Sequence, residues 1–147
     1  MSSDRDLLLT VDERDSELAE RLHTELLAFN DAHTGGAERR PLSVKVTDEA
    51  GDLVGGLIGR SWGGLLDIHL LWVREQSRVD GWGSRLLRAA EAEALRRGCV
   101  HAVVSSFTFQ APGFYQCHGY VETGRAPGIP GGHEDVHLYK RLAEPTV

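Results

Sequence analysis

The sequence predicts an α+β fold: a mixed, mostly antiparallel sheet with a central β–α–β crossover, flanked by helices. Short apolar, strand-like runs separated by glycine-containing turns fill much of the chain. A helix-like run at residues 84–97 stands between apolar runs at residues 65–73 and 100–107, and strands joined by a helical crossover are normally parallel. The length of 147 residues, with 41% hydrophobic and 26% charged residues, predicts a single globular domain over residues 1–147.

The first part of the chain predicts a strand, a helix and a hairpin, in that order. Residues 7–11 are apolar and predict a short strand. Residues 15–32 carry leucine and phenylalanine at helical spacing after acidic residues that suit a helix start, so they predict a helix. Residues 42–48 alternate as a half-buried strand would, and residues 53–60 predict the returning strand of a hairpin. Glycines within this returning strand indicate close packing or bulges.

The crossover and the residues after it complete the predicted sheet. The run at residues 65–73 is rich in leucine and isoleucine, and it is the best candidate for the centre of the sheet. Residues 112–118 begin with proline and predict a short helix. Two closing strands are predicted at residues 120–123 and 136–142, joined by a loop over residues 124–132.

Composition narrows the class of protein. The net charge of −6 argues against non-specific binding to nucleic acid and mildly favours a cationic substrate. Residues 1–6 are polar, and no run reaches the roughly 18 apolar residues of a membrane span, so neither a signal segment nor a membrane protein is expected. The two cysteines, Cys99 and Cys117, form no disulfide framework, which favours a reducing, cytoplasmic compartment.

The most informative stretch lies between the central strand and the helix of the crossover. It has the pattern Arg-x-x-Gly-x-Gly, and a helix start presents backbone N–H groups and a dipole that favour an anion such as a phosphate. A glycine pair before a helix can also be a plain structural turn. The residues of this stretch are Arg78, Val79, Asp80, Gly81, Trp82, Gly83 and Ser84.

This stretch resembles the coenzyme A pyrophosphate loop of the GNAT superfamily of N-acetyltransferases. The order of predicted elements matches that family over nearly the full chain. The resemblance implies the GNAT acyl-CoA N-acyltransferase fold, acetyl-CoA as co-substrate, no metal, and direct transfer of the acetyl group to a primary amine of a small molecule or protein. It also implies that Leu71, Trp72 and Val73, at the end of the central strand, offer backbone groups to the pantetheine arm. Trp72 fits either a wall of the acetyl pocket or the core.

A second motif, Phe114-Tyr115-x-x-x-Gly119-Tyr120, resembles the second signature of the same family. The resemblance implies that Tyr115 lies near the sulfur of the coenzyme and acts as general acid. The chemistry is suitable because a phenol with a pKa of ~10 can donate a proton or a hydrogen bond to a departing thiolate. The alternative is an aromatic side chain that only packs on a short helix.

The acceptor amine must lose a proton, since an alkylammonium has a pKa near ~10.4. Asp67 and His69 alternate on the predicted central strand and therefore share one face. Histidine ordinarily titrates near ~6.5, so His69 is the better base, while Asp67 could attract a cationic substrate or relay the proton. Water could serve as the base instead, and the face could simply be solvated or hydrogen-bonded internally.

Two features leave room for other functions. Many GNAT members carry an asparagine just after the strand at residues 100–107, whereas this chain has none there, with Ser106 or Thr108 as candidate replacements. A non-catalytic module that binds or senses acyl-CoA is therefore the main alternative to an enzyme. The segment from His133 to His137 matches the zinc-protease motif His-Glu-x-x-His, but on a strand these histidines would lie ~13 Å apart, too far for one zinc ion.

The identity of the acceptor is the main gap. In the family, specificity lies largely in the region of the first helix and in the late loop, here residues 25–41 and 124–135. Both regions are short, which suggests a small acceptor or a pocket shared across a homodimer.

Overall fold

The structure, a computed structural model, describes residues 7–143, and these divide between Ala37 and Glu38 into two compact units. The first unit contains one helix, α1 (Ser16–Thr34), which confirms the predicted helix. The side chain of Asp15 caps it by accepting a hydrogen bond from the Leu18 amide at 2.9 Å. The polar residues 1–6, on which the expectation of no signal segment rested, lie outside the described residues.

The strand predicted at residues 7–11 is wrong, because these residues have no regular secondary structure. Leu8 and Leu9 are 94% and 96% exposed, so the apolar run is not covered as a sheet strand would be. A short apolar run specifies a strand only when a neighbouring strand supplies hydrogen bonds.

The second unit is a six-stranded sheet with two α-helices. Its elements are β1 (Arg39–Thr47), β2 (Leu53–Trp62), β3 (Leu65–Val73), a 3-10 helix (Glu75–Asp80), α2 (Trp82–Arg96), β4 (His101–Phe107), α3 (Pro112–Cys117), β5 (Val121–Ile129) and β6 (His133–Arg141). The order across the sheet is β1-β2-β3-β4-β6-β5, and every adjacent pair is antiparallel except β3 with β4. The predicted mixed sheet with one central crossover is confirmed. No helix among residues 7–143 combines the length and apolar character needed to cross a bilayer.

The loop predicted over residues 124–132 is wrong, because β5 continues to Ile129 and pairs with β6. Ala126 lies opposite Asp135 and Ile129 opposite His133, with an irregular register between them. Gly128, at a φ of 83°, lies in this irregularity. Glycine and proline occur both in loops and in bulged edge strands, so the sequence pattern alone does not distinguish the two here.

The apolar face of the sheet packs against α2, which contacts β1, β2 and β3. Burial of this face supplies the main stabilising free energy of the second unit. The buried cluster consists of Leu42, Leu57, Leu66, Ile68, Leu87, Ala90, Ala94, Cys99, Ala102, Val104, Tyr115, Tyr120, Val136 and Leu138.

One buried polar network crosses this core. Glu91 on α2 is only 8% exposed, and one of its oxygens accepts a hydrogen bond from the Tyr120 hydroxyl at 2.7 Å. Lys140 Nζ on β6 donates to the other oxygen at 3.0 Å. Because the carboxylate is paired with a cation and a hydroxyl, its burial is compensated and α2 is tied to β6.

A bulge interrupts the pairing of β2 with β3. Ile58 lies opposite Leu70 and Gly59 opposite Ile68, which leaves His69 as the extra residue on β3. A Cβ atom on Gly59 would lie 2.3 Å from the Asp67 carbonyl oxygen, so this position requires glycine. The bulges or close packing predicted from the glycines of β2 are therefore confirmed.

Candidate active site

The central strands separate and leave a cleft. β3 and β4 pair only where Leu65–Asp67 lie beside His101–Val103, and no pairing continues beyond that point. A cavity of about 420 Å³ occupies the opening, a size suited to a small-molecule site. It is lined by Asp67, Ile68, His69, Val103, Val104, Ser105, Thr123, His137 and Leu138.

His69 and Asp67 form a hydrogen-bonded pair on the wall of this cavity. His69 Nε2 lies 3.2 Å from Asp67 Oδ2, which agrees with the prediction that both share one face. Arg60 Nε lies 3.7 Å from the same oxygen and offsets part of the carboxylate charge. The bulge at His69 directs its ring toward solvent, and its side chain is 45% exposed. The pair therefore offers an accessible imidazole that is oriented by a carboxylate.

The glycine turn ends in the start of α2, as predicted, although a 3-10 helix (Glu75–Asp80) precedes it. Gly81 has a φ of 77°, and no side chain caps the first turn of α2. The first amides of a helix lack intrahelical acceptors, so this turn can hold an anion. Arg78 Nε donates to the Val73 carbonyl at 2.9 Å, which anchors the turn to the end of β3. Val79, at 92% exposure, lies on the solvent side of the turn.

Two contacts at this turn were not predicted. The guanidinium of Arg85 stacks on the ring of Trp82, with its carbon 3.9 Å from the ring centroid. Arg74 donates to Asp48 Oδ2 and Ser77 Oγ, and so ties the β1–β2 hairpin to the 3-10 helix. Sequence spacing carries no signal for the second contact, because Arg74 and Asp48 are 26 residues apart.

Tyr115 lies on α3, where it is 7% exposed. Its ring packs edge-on against Phe114 and Tyr120. Phe114 in turn lies 3.4 Å from the position of a Cβ on Gly83, so α3 packs directly on the start of α2. Burial raises the pKa of Tyr115 to about 12, so its hydroxyl keeps its proton at neutral pH.

A further hydrogen bond joins the same two helices. Ser84 Oγ on α2 lies 2.8 Å from His118 Nε2 just after α3. The glycine turn and the tyrosine of the two sequence motifs are therefore parts of one packed corner.

Side-chain burial differs among the three residues at the end of β3. Val73 is buried and Leu71 packs against the core. Trp72 is 50% exposed, so the core interpretation of this side chain is wrong, and Trp72 does not line the cavity.

The two candidate replacements for asparagine both have partners. Ser106 is 4% exposed, and its Oγ accepts from the Ala111 amide at 3.3 Å. Thr108 Oγ1 accepts from the Glu134 amide at 3.1 Å. Both hydroxyls therefore stabilise the segment that links β4 to α3.

The His-Glu-x-x-His motif lies on strand β6, as expected from its surroundings. His133 Nδ1 lies 3.1 Å from Thr108 Oγ1, whereas His137 lines the cavity. Within residues 7–143, no three histidine, cysteine or acidic side chains group as metal ligands would. The sequence pattern around His137 points only to a metal motif and gives no signal for its place at the cavity.

Comparison with known proteins identifies the fold. Residues 8–120 match the model of the acetyltransferase (GNAT) family. The chain is 43% identical over 109 residues to the blasticidin-S acetyltransferase of Streptomyces morookaense, covering 71% of this chain and 80% of that protein. It is 31% identical over 131 residues to an acetyltransferase of Agrobacterium fabrum, covering 89% of this chain and 96% of that protein.

A solved structure agrees with these relatives. The crystal structure of an acetyltransferase from Bacillus cereus superposes with a TM-score of 0.81 at 32% identity, covering 90% of this chain and 97% of that one. The separated central strands, the glycine turn before α2 and these relatives lead to one conclusion: the chain belongs to the GNAT acetyltransferase family and has the GNAT fold.

Proposed function

We propose that this acetyltransferase uses acetyl-CoA and transfers the acetyl group directly to a primary amine bound in the cleft between β3 and β4. The observation that carries the proposal is the His69–Asp67 pair on the wall of that cleft. The pyrophosphate of the coenzyme would bind at the start of α2, where Gly81 and Gly83 leave the backbone accessible. Arg78 supplies a cation at the same turn. The pantetheine arm would follow the backbone of Leu71–Val73 toward the cleft.

His69 is the proposed base. When Nε2–H donates its hydrogen bond to Asp67, Nδ1 retains a lone pair and can take a proton from the acceptor ammonium. The free amine then attacks the thioester carbonyl carbon, its nitrogen gives up its second proton to water, the carbon–sulfur bond breaks, and the coenzyme leaves as a thiolate. Asp67 orients the imidazole and stabilises it once it is protonated.

Tyr115 is the proposed group that assists departure of the thiolate. With its pKa raised to about 12, the phenol holds its proton more tightly than an ordinary thiol, whose pKa is ~8.5. Tyr115 therefore acts by donating a hydrogen bond to the sulfur as negative charge develops there. Such a bond lowers the barrier because it is stronger to the thiolate than to the thioester.

We propose a small-molecule amine as the acceptor. A cavity of about 420 Å³ suits a compact ligand, and the 43% identical relative is named for acetylation of blasticidin S. Blasticidin S is therefore the first acceptor to test. The cytoplasmic compartment, the homodimer and the absence of nucleic-acid or membrane partners stay predictions from composition and loop length.

The proposal is tested by coenzyme thiol release, with acetyl-CoA and either blasticidin S or a panel of primary amines. We expect amine-dependent release by the wild-type protein and a loss of about 100-fold in kcat/KM for His69→Ala. The variant His101→Ala, on β4 outside the cavity, is the matched control and should keep its rate. Calorimetry with acetyl-CoA should detect binding by all three proteins. Binding without thiol release for any amine would favour the non-catalytic module instead.

A further inference from the structure

A second histidine–carboxylate pair lies at the same cavity. His137 on β6 lines it together with His69, and Ser105 of β4 lies opposite His137 in the sheet. His137 Nε2 is 3.5 Å from Asp135 Oδ2. Both members of the pair on β3 line the cavity, whereas on β6 His137 lines it and Asp135 lies beside His137. Ser105 and Thr123 are also in the lining.

Asp135 has an unused hydrogen-bond acceptor. Its Oδ1 atom is buried and has no hydrogen-bond partner among the described residues. An unpaired buried carboxylate oxygen costs free energy, and a cation held beside the carboxylate would offset part of that cost. The side chain of His137 is 54% exposed and that of Asp135 is 22% exposed, so a ligand that contacts His137 in the cavity can approach the exposed part of Asp135.

The charges around the cleft favour a cationic partner. The carboxylates of Asp67 and Asp135 are both present, whereas Arg60 is the cation at the β3 pair and lies 3.7 Å from Asp67. Among residues 7–143, neither a lysine nor an arginine lines the cavity. An acceptor that carries a second positive, donor-rich group therefore fits this wall better than one that carries a carboxylate.

We propose that His137 and Asp135 form a specificity site that binds a second cationic group of the acceptor while His69 faces the amine to be acetylated. The inference rests on the proposed function. The substrate class is a small dibasic molecule, one that carries a primary amine and, a few bonds away, a guanidinium or second ammonium group. His137 and Asp135 hold this group in place and take no part in the proton transfer.

The test compares two probes that share a primary amine on a four-carbon chain: 4-guanidinobutylamine and n-butylamine. We expect the wild-type protein to prefer the guanidino compound in kcat/KM by about tenfold or more, the usual effect of one hydrogen-bonded charge. His137→Ala and Asp135→Asn should raise KM for the guanidino compound about tenfold, leave its kcat nearly unchanged, and leave n-butylamine unaffected. His137→Asn should recover part of the preference, and His101→Ala, on β4 outside the cavity, should keep all of it.

Three other outcomes would contradict the specificity site or the proposed function. Equal use of both probes by the wild-type protein, or an unchanged preference in His137→Ala and Asp135→Asn, would overturn the specificity site while leaving the acetyltransferase mechanism intact. An equal fall in kcat for both probes in these variants would mean that His137 and Asp135 act on the reacting groups. That result would also overturn the specificity site. Failure of the wild-type protein to release thiol with any amine would overturn the proposed function, and the inference with it.

Discussion

The proposed role of Tyr115 in catalysis can be measured separately from binding of the coenzyme. Its hydroxyl is proposed to stabilise the departing thiolate, a charge that exists only as the reaction proceeds. Tyr115→Phe should therefore lower kcat by about 10- to 100-fold, the usual effect of one hydrogen bond to a charged group, and leave the dissociation constant for acetyl-CoA unchanged. Steady-state kinetics and calorimetry on the same preparations measure the two quantities.

The matched control is Tyr139→Phe. Tyr139 lies on β6 and its hydroxyl is 2.6 Å from His101 Nδ1, away from the corner formed by α2 and α3. This variant should keep kcat. An unchanged kcat in Tyr115→Phe would remove the tyrosine from the mechanism, and a weakened affinity for acetyl-CoA would assign it to binding.

The sequence pattern predicted some of the residues of the candidate site. Asp67 and His69 follow from strand alternation, and their 3.2 Å contact agrees with that reasoning. His137 could not be found in the same way, since its relation to His69 depends on β6 lying beside β4. That adjacency is a property of the sheet order, and no local pattern contains it.

At the scale of elements, Gly59 links β2 to the position of the proposed base. A Cβ at this position would lie 2.3 Å from the Asp67 carbonyl oxygen, so Gly59→Ala must displace the bulged part of β3 that carries His69. We expect a loss of about 1 to 3 kcal/mol in the free energy of unfolding, as for other overpacked sites, together with reduced kcat/KM. Urea unfolding and thiol-release assays measure both effects.

Gly124→Ala is the matched control for this substitution. Gly124 also lies in a β-strand, and a Cβ there would meet no atom within 4 Å. Its stability should stay close to that of the wild-type protein. If Gly59→Ala also left the free energy of unfolding unchanged, the bulge could accommodate a Cβ atom at this position. Gly59 would then not be required to hold His69 in place.

Helices and central strands were predicted better than irregular edges. The central strand and the crossover helix have strong periodic patterns, and β3 occupies the predicted residues 65–73. The errors fall where pairing overrides local composition. Residues 7–11 are apolar but form no strand, and β5 runs through glycine and proline because β6 pairs with it.

At the scale of the whole molecule, the cleft is a consequence of the register of the sheet. It arises because β3 and β4 pair over three residues and then separate, while β6 completes the sheet beside β4. Such a register depends on contacts far apart in sequence, so local patterns do not specify it. The same long-range packing buries two tyrosines, Tyr115 and Tyr120. Because they are buried, the free energy of unfolding varies with pH in the alkaline range.

Both phenols have pKa values raised in the folded state. Burial raises the pKa of Tyr115 to about 12, and burial followed by the hydrogen bond to Glu91 raises that of Tyr120. In the unfolded chain a tyrosine ionises near pH ~10, so above that pH the unfolded state loses protons that the folded state keeps. The free energy of unfolding must therefore fall as the pH rises from about 10 toward 12.

Tyr115→Phe isolates the contribution of one of these tyrosines. Because the variant lacks the titrating hydroxyl, its free energy of unfolding should rise relative to that of the wild-type protein as the pH increases. The expected change in this difference is about 2 kcal/mol between about pH 8.5 and about pH 11.5. The ionisation of the other groups cancels in the difference, apart from that of Tyr120, whose pKa is raised first by burial and, as the last and smallest of its causes, by Tyr115. Urea unfolding of both proteins across this range measures it. A difference that stays constant with pH would mean that Tyr115 ionises as readily in the folded protein as in the unfolded chain, and its proposed role as a tightly protonated donor would fail as well.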